Sequence, residues 1–364
     1  MARGNSTIKD IAKELGIAPS TVSRALKNHP DIGAPLTAQV KETARRLNYQ
    51  PNTLAQNLRD RTTKKLGVIV PEIVSSLYAS VLNGIEEVAS HKGYHLIVCK
   101  SGESYQKEVQ HTYSLISQVD GMLVSVSRET RKYDHFENVK VKNLPLLFFE
   151  RVVESIQADK VVFNDYKIAY AITEHLIDSG FKRIAHITGP EYINISKDRI
   201  AGYVDAHKAA QLPTEDSLLV KSGFGYHDGR LGLQKLMNLS IPPDAIFCAT
   251  DQISLGLYAE AKQRSISIPD QLGIASFAVD QIHSLLTPSV TTIRQVGFEM
   301  GSIAAQLCIS QIESDSEPYK PQREVISTDL IIRQSSVNTP IGPSVSRPFM
   351  VEKGDTFTDL IYIY

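Results

Sequence analysis

The chain has 364 residues, 42% apolar and 22% charged, with a formal net charge of −1. This is the composition of a soluble globular protein of two or three domains. No apolar run approaches the roughly 20 residues of a membrane span, and Cys99, Cys248 and Cys308 lie too far apart for a metal-ligand spacing.

The opening "MARGNSTIKDIAKELG" lacks the apolar centre of a signal peptide, so a cytoplasmic location is expected. Charge is unevenly spread. Residues 1–65 hold 12 Lys and Arg against 5 Asp and Glu, whereas the remainder holds 27 against 35. A basic head on an acidic body points to a polyanion-binding segment, or to a solvated basic tail if helical patterning is lacking.

The patterning is present. Thr7 followed by Asp10 opens a first helix as a short capping box, Ile8, Ile11, Ala12 and Leu15 form its apolar stripe, and Gly16 ends it. Pro19 suits the first position of a second helix, "PSTVSRAL". There Val22, Ala25 and Leu26 face inward and Ser20, Thr21, Ser23 and Arg24 face out. A third helix is expected from about Thr37, burying Val40, Ala44 and Leu47 and showing Lys41, Arg45 and Arg46 to solvent. Two short helices joined by a tight turn, with a third closing the core, make a helix-turn-helix domain. The outward set suits the major groove: Arg24 matches a bidentate contact to guanine, with a phosphate contact or a plain surface charge as the alternatives.

The next stretch, "YQPNTLAQNLRDRT", is polar apart from Leu54 and Leu58, which four-residue spacing puts on one helix face. They either serve a partner outside the chain or pack on the first core strand. Beyond it, apolar runs "LGVIV", "HLIVC", "MLVSV", "LLFF", "RIAHIT", "AIFCAT" and "GIASF" alternate with helix patterns such as "YASVLNGIEEVASHKG", "KIAYAITEHLIDSG" and "QISLGLYAEAKQRS". That alternation predicts parallel sheets covered by helices on both faces. Cys99 and Cys248, within such runs, are expected as buried free thiols.

"TIKDIAKELGIAPSTVSRAL" followed by "NYQPNTLAQNLR" resembles the signature of the lactose/galactose-repressor (LacI/GalR) family of bacterial transcription regulators. The resemblance continues to about residue 334 through "NGIEEVASHKGYHLIV", "VDGMLV", "EHLIDSGFKRIAHITGP", "DRIAGY", "ATDQISLG" and "LTPSVTTIRQ". It implies an all-α helix-turn-helix domain at 1–52, a hinge helix and linker at 53–64, and an α/β core at 65–336. The core would be two Rossmann-like subdomains like those of periplasmic sugar-binding proteins, joined by three crossovers. One takes about 65–162 and 294–325, the other about 163–293 and 326–336.

In the family the hinge helices of a dimer pair in the minor groove, and a leucine from each wedges into the central base step; Leu58 holds that place here, with Leu54 as a contact between the paired helices or back to the head. Such a wedge kinks the duplex and lets the protein bury more DNA surface. The implied DNA-contact set is Thr7, Pro19, Ser20, Thr21, Ser23, Arg24, Asn28, Tyr49, Asn52, Leu54, Ala55, Leu58 and Arg59. The implied partners are double-stranded DNA with a near-palindromic operator, a second copy of the chain, and a small-molecule effector, a carbohydrate or a derivative of one.

Open parallel sheets bind ligands beyond the carboxyl ends of their strands. That rule nominates Ser75, Tyr78, Ser125, Glu150, Asn164, Thr250 and Asp251, with Arg199 from the helix after "HITGP" and Phe224 to stack on a sugar face. Asp251 and Asp165 read equally as helix N-caps. An arginine at 199 in a cleft requires an anionic or hydroxyl partner. Two departures stand out: Thr250 occupies a place that is Asn in many relatives, and Ala278-Val279 stands where many carry an aspartate pair, with Asp280 and Gln281 one or two residues late. The effector is therefore expected to differ from a hexose in the usual pose: another carbohydrate, a phosphorylated sugar or a nucleoside-like compound. An alternative has a nucleobase or sugar phosphate acting as co-repressor.

No P-loop, GxSxG, HExxH or post-strand GxGxxG is present, so no catalytic residue, metal or cofactor is expected. His111, His135 and His207 read as surface residues and His186 as core. Residues 337–364 fall outside the resemblance. "VNTPIGPSVSRP" reads as a linker, "DLIYIY" as an unassigned apolar end, and no leucine heptad supports a coiled coil.

Overall fold

The computed structural model describes residues 6–49, 62–278, 282–294, 296–314, 319–337 and 345–348. Two compact units emerge, 1–63 and 64–364.

In the first unit, α1 (Ile8–Leu15) starts where the Asp10 carboxylate accepts from both the backbone N–H and the hydroxyl of Thr7, at 2.7 Å each. It ends at Gly16, whose φ of 64° is the left-handed conformation that glycine adopts without a Cβ penalty. The second helix, α2 (Pro19–Leu26), has proline in its first turn. The third, α3 (Ala34–Arg46), begins three residues before the expected Thr37, because Pro35 also suits a first turn, where its missing N–H costs nothing. Ile11, Ala12, Val22, Ala25, Val40 and Ala44 close the core, as the stripe pattern requires.

The second unit runs β1 (Lys65–Val70), α4 (Ser76–His91), β2 (His95–Lys100), α5 (Tyr105–Leu115), β3 (Gly121–Val124), α6 (Asp134–Val141), β4 (Leu146–Phe149), β5 (Asp159–Phe163), α7 (Asp165–Asp178), β6 (Ile184–Thr188), α8 (Asn194–Ala209), β7 (Leu219–Lys221), α9 (Tyr226–Met237), β8 (Ala245–Cys248), α10 (Asp251–Gln263), β9 (Gly273–Ser276), α11 (Ile282–Leu285), β10 (Thr292–Ile293), α12 (Gly297–Glu313), β11 (Arg323–Ile326), β12 (Asp329–Ile332) and β13 (Val345–Pro348). A six-stranded sheet has the order β11-β5-β4-β3-β1-β2, and a four-stranded sheet the order β7-β6-β8-β9. All pairings in both are parallel. The fold is therefore the expected one, an α/β core of two parallel sheets and a separate all-α helical unit. Strand order reverses between β1 and β3 in one lobe and between β6 and β8 in the other, the places where open sheets leave a crevice.

The chain leaves the first sheet after β5 and returns to it through α12 and β11. Helices α4 and α12 pack so closely that a methyl group on Gly84 would collide with the Phe298 carbonyl, and one on Gly301 with that of Val81. Close packing of backbones explains glycine inside two helices that otherwise disfavour it.

Three expectations need correction here. Cys99 is half-exposed, because β2 is an edge strand whose outer face is open. His135 and His207 are buried, at 1% exposure each: His135 meets the buried Glu108 carboxylate at 3.0 Å, and His207 packs on the Tyr203 ring. Val345–Pro348, within the expected linker, pairs antiparallel with β12 as the edge of a three-stranded sheet, β10-β12-β13. Proline fits there because an edge strand leaves one side of its backbone unpaired.

Candidate functional site

Two surfaces carry polar residues that the core does not use. On the helical unit, Ser20 and Arg24 are exposed on α2, Thr21 and Ser23 are half-buried beside them, and Thr7 is exposed at the start of α1. Pro19 opens the same helix. Asn28 follows α2 with φ 53° and accepts from Lys41 Nζ at 2.5 Å. Tyr49 is half-buried against the helical core. The second helix thus presents hydroxyls and a guanidinium along one side of a rigid three-helix frame, with Lys27 exposed just past its end. Asn52, Leu54, Ala55, Leu58 and Arg59 lie outside the described residues.

The second surface is a cleft of about 320 Å³ between the two lobes of the α/β unit. The loops after seven strands and the helix α8 contribute. From the first lobe come Glu72 and Ser75 after β1, Glu103 after β2, Arg128 after β3 and Glu150 with Arg151 after β4. From the second come Arg199 on α8, Phe224 and Asp228 after β7, Thr250 and Asp251 after β8, and Phe277 after β9.

Glu150 is buried with φ 59°, an uncommon backbone for glutamate that turns the chain as β4 ends. Its Oε2 accepts from Tyr78 Oη at 2.6 Å and Ser125 Oγ at 3.0 Å, and Arg151 Nε lies 3.4 Å away. Burial pushes the Tyr78 phenol well above its usual range, so it stays a donor. Arg151 also donates to both Glu103 oxygens at 2.9 Å and lies 4.4 Å over the Phe224 ring. Across the cleft, Arg199 meets Asp165 at 2.7 Å, donates to the Ala249 carbonyl, and stacks 3.6 Å over Phe277. Burial pushes Asp165 up to about 6, against the pull of Arg199. The Arg128 guanidinium makes no ion pair or hydrogen bond among the described residues.

Of the nine residues nominated from the sequence, Ser75, Tyr78, Glu150, Arg199, Phe224, Thr250 and Asp251 line the cleft. Ser125 sits behind it, fully buried against Tyr78 and Glu150. Asn164 does not line it; its side chain caps α7 by accepting from Lys167 N at 3.0 Å. The caps are Asn164 and Thr250, one residue before the expected Asp165 and Asp251, because each carboxylate turns to a partner instead. Arg199 does have the anionic partner that burial demands, but the partner is Asp165 of the same lobe. Phe224 carries the Arg151 guanidinium on its ring. Glu103, Arg128, Arg151, Asp228 and Phe277 were missed, although the strand-end rule reaches Glu103 and Phe277 when applied to every strand. Asp280, Gln281 and Val279 lie outside the described residues.

Residues 7–52 match the model of bacterial regulatory proteins of the lacI family, and residues 173–336 a periplasmic binding protein-like domain. Catabolite control protein A of Priestia megaterium is 30% identical over 86% of this chain and 94% of its own length. The HTH-type transcriptional repressor PurR of Actinobacillus pleuropneumoniae serotype 3 is also 30% identical, over 92% of this chain and 99% of its own. Among solved structures, the transcriptional regulator CelR in complex with cellobiose superposes with a TM-score of 0.69 at 23% identity, covering 91% of this chain and 99% of that one.

Proposed function

The chain belongs to the lacI family of bacterial regulatory proteins, and we propose that it represses carbohydrate-use genes as a homodimer whose operator affinity is set by a small polar effector in the inter-lobe cleft. Its DNA-binding regulatory role is that of the family. The effector and the residues that hold it are the proposal, and the cleft is the observation that carries it: the strand ends of two parallel sheets line it with carboxylates, guanidinium groups and hydroxyls.

The division of labour follows from chemistry. Glu150 and Asp228 accept from effector hydroxyls, and Arg128, with no side-chain partner among the described residues, donates to them. Arg151 and Arg199 are already balanced by carboxylates, so they shape the walls and add donors without drawing a strong net anion. A ligand touching both lobes favours one degree of closure and so shifts a population between DNA-competent and incompetent states. In the helical unit, Ser20, Thr21, Ser23 and Arg24 read the major groove. Thr7, Pro19, Asn28 and Tyr49 contact or support the DNA backbone, and the hinge residues Asn52, Leu54, Ala55, Leu58 and Arg59 enter the minor groove. The domain limits 1–52, 53–64 and 65–336 are part of the same proposal, as are a cytoplasmic location and a regulatory rather than catalytic role. Among the described residues no helix is long and apolar enough to cross a membrane.

A thermal-shift screen of sugars, sugar phosphates and nucleobases on the full chain tests the reading. A neutral carbohydrate that raises the melting temperature supports it. Stabilisation only by a nucleobase or sugar phosphate favours the co-repressor alternative.

A further inference from the structure

Asp251 lies where two helix N-termini face each other across the cleft. It is the first residue of α10 in the second lobe, and its Oδ1 accepts from the next backbone N–H, Gln252, at 2.8 Å. Its Oδ2 points to the first lobe, accepting from Ser76 Oγ at 3.1 Å, Ser76 N at 3.3 Å and, at the limit, Ser75 Oγ at 3.5 Å. Ser75 and Ser76 open the 16-residue helix α4. Each helix N-terminus carries unpaired N–H groups and a partial positive charge, so two of them brought together repel. One carboxylate shared between them removes that repulsion and satisfies donors on both. Asp251 is buried at 5% exposure, which strengthens each of these bonds.

The lobes touch at other points without any ligand. Tyr192 Oη, from the loop before α8, donates to the Arg128 carbonyl at 2.9 Å, and Arg131 lies 4.1 Å over the Tyr192 ring. Asn194 at the start of α8 meets the Val152 N–H at 3.3 Å and the Glu150 carbonyl at 3.4 Å. Those contacts use neutral hydrogen-bonding groups or a guanidinium over the exposed Tyr192 ring. Arg151 lays a buried guanidinium on the Phe224 ring across the cleft, without a hydrogen bond between them, whereas Asp251 joins the lobes through a buried carboxylate that accepts hydrogen bonds from the opposite lobe.

We propose that Asp251 is a positioning residue that latches the two lobes together by capping α4 from the opposite lobe, and that it thereby sets the degree of closure in the effector-free protein. Its Oδ2 is then occupied by the latch, and an effector hydroxyl that competes for it opens the cleft instead of closing it. This consequence rests on the cleft being the effector site; the latch itself does not, and it is tested with no ligand present.

Hydrogen exchange on the full chain separates a latch from a simple helix-end role. In Asp251→Ala, exchange across residues 73–80, on the other lobe, should rise about tenfold, the scale of one lost charge-assisted bond. Small-angle scattering should show a larger radius of gyration. Asp251→Asn, which keeps an acceptor, should fall between wild type and alanine. If Asp251→Ala fails to fold, the reciprocal variant Ser76→Ala carries the test, and residues 250–255 should exchange faster. Changes confined to the lobe that bears each substitution, with unchanged scattering, overturn the latch. Failure of every compound to bind the cleft leaves these outcomes untouched and counts only against the effector reading.

Discussion

The Arg199 guanidinium meets the Asp165 carboxylate at 2.7 Å, with both side chains almost fully buried. The pair ties the start of α8 to the start of α7 beneath the cleft, so Arg199 both supports the second lobe and faces the effector. Arg199→Ala therefore removes a ligand contact and strands a buried carboxylate, at a cost of about 3–5 kcal/mol. Asp165 titrates near 6 with its partner present, and removing that partner raises it further. A raised carboxyl favours the folded state at low pH and loses that advantage as pH rises through the folded value. The melting-temperature gap between wild type and Arg199→Ala should thus shrink below about pH 6, and the double variant with Asp165→Ala should recover part of the loss. Effector response should vanish in both. A variant as stable as wild type at pH 8 contradicts the pairing.

Arg24 is exposed on α2 beside Ser20. Selection from a random DNA library should return a near-palindrome, as two-fold protein symmetry requires. Arg24→Ala should relax preference at one position in each half-site and cost about 1–3 kcal/mol per half-site. An identical sequence logo for wild type and variant removes Arg24 from base reading.

Leu58 lies outside the described residues, and its role rests on the family resemblance. Leu58→Ala should weaken operator binding by about 2 kcal/mol or more, because the central step is no longer wedged and the bend is unsupported. Nonspecific binding, carried by phosphate contacts, should change little. Competition titrations with operator and random duplexes measure both, and equal losses on the two exclude a wedge.

His186 is stacked on Phe247 at 4.2 Å in the second lobe, its Nδ1 bonds the Phe247 carbonyl, and its Nε2 has no partner among the described residues. Burial depresses it from about 6.5 to about 3. The folded state resists the proton that the unfolded chain accepts, so this stability is complete above pH 6.5 and drains away as pH falls towards 3. The loss reaches about 1.4 kcal/mol per pH unit within that window. His186→Phe keeps the stack and should flatten the pH dependence of the melting temperature between 6 and 4. A slope identical to wild type assigns the acid lability elsewhere.

The helical unit was legible almost residue by residue, because its caps, turn glycine and apolar stripe are local signals. The strands of the core were legible where they are long and apolar; β7, at three residues, and β13, inside a proline-containing segment, were not. The strand-end rule found Ser75, Tyr78, Glu150, Thr250 and Asp251 among the residues that line the cleft. It could not show which carboxylates were already engaged, since Asp165 and Asp251 meet partners 34 and 176 residues away. His135 and His207 looked superficial because they sit among charged neighbours in sequence, and only the packing of Glu108 and Tyr203 around them explains their burial. No local pattern encodes a pairing across two lobes.

The coupling between cleft and operator is the centre of this account. Its most direct test is the affinity of full-length protein for its selected operator, measured by fluorescence anisotropy with and without a compound that raises the melting temperature. The account predicts a change of about 5- to 150-fold, lost in Glu150→Ala. A compound that stabilises the protein, loses that stabilisation in Glu150→Ala, and leaves operator affinity unchanged would contradict it.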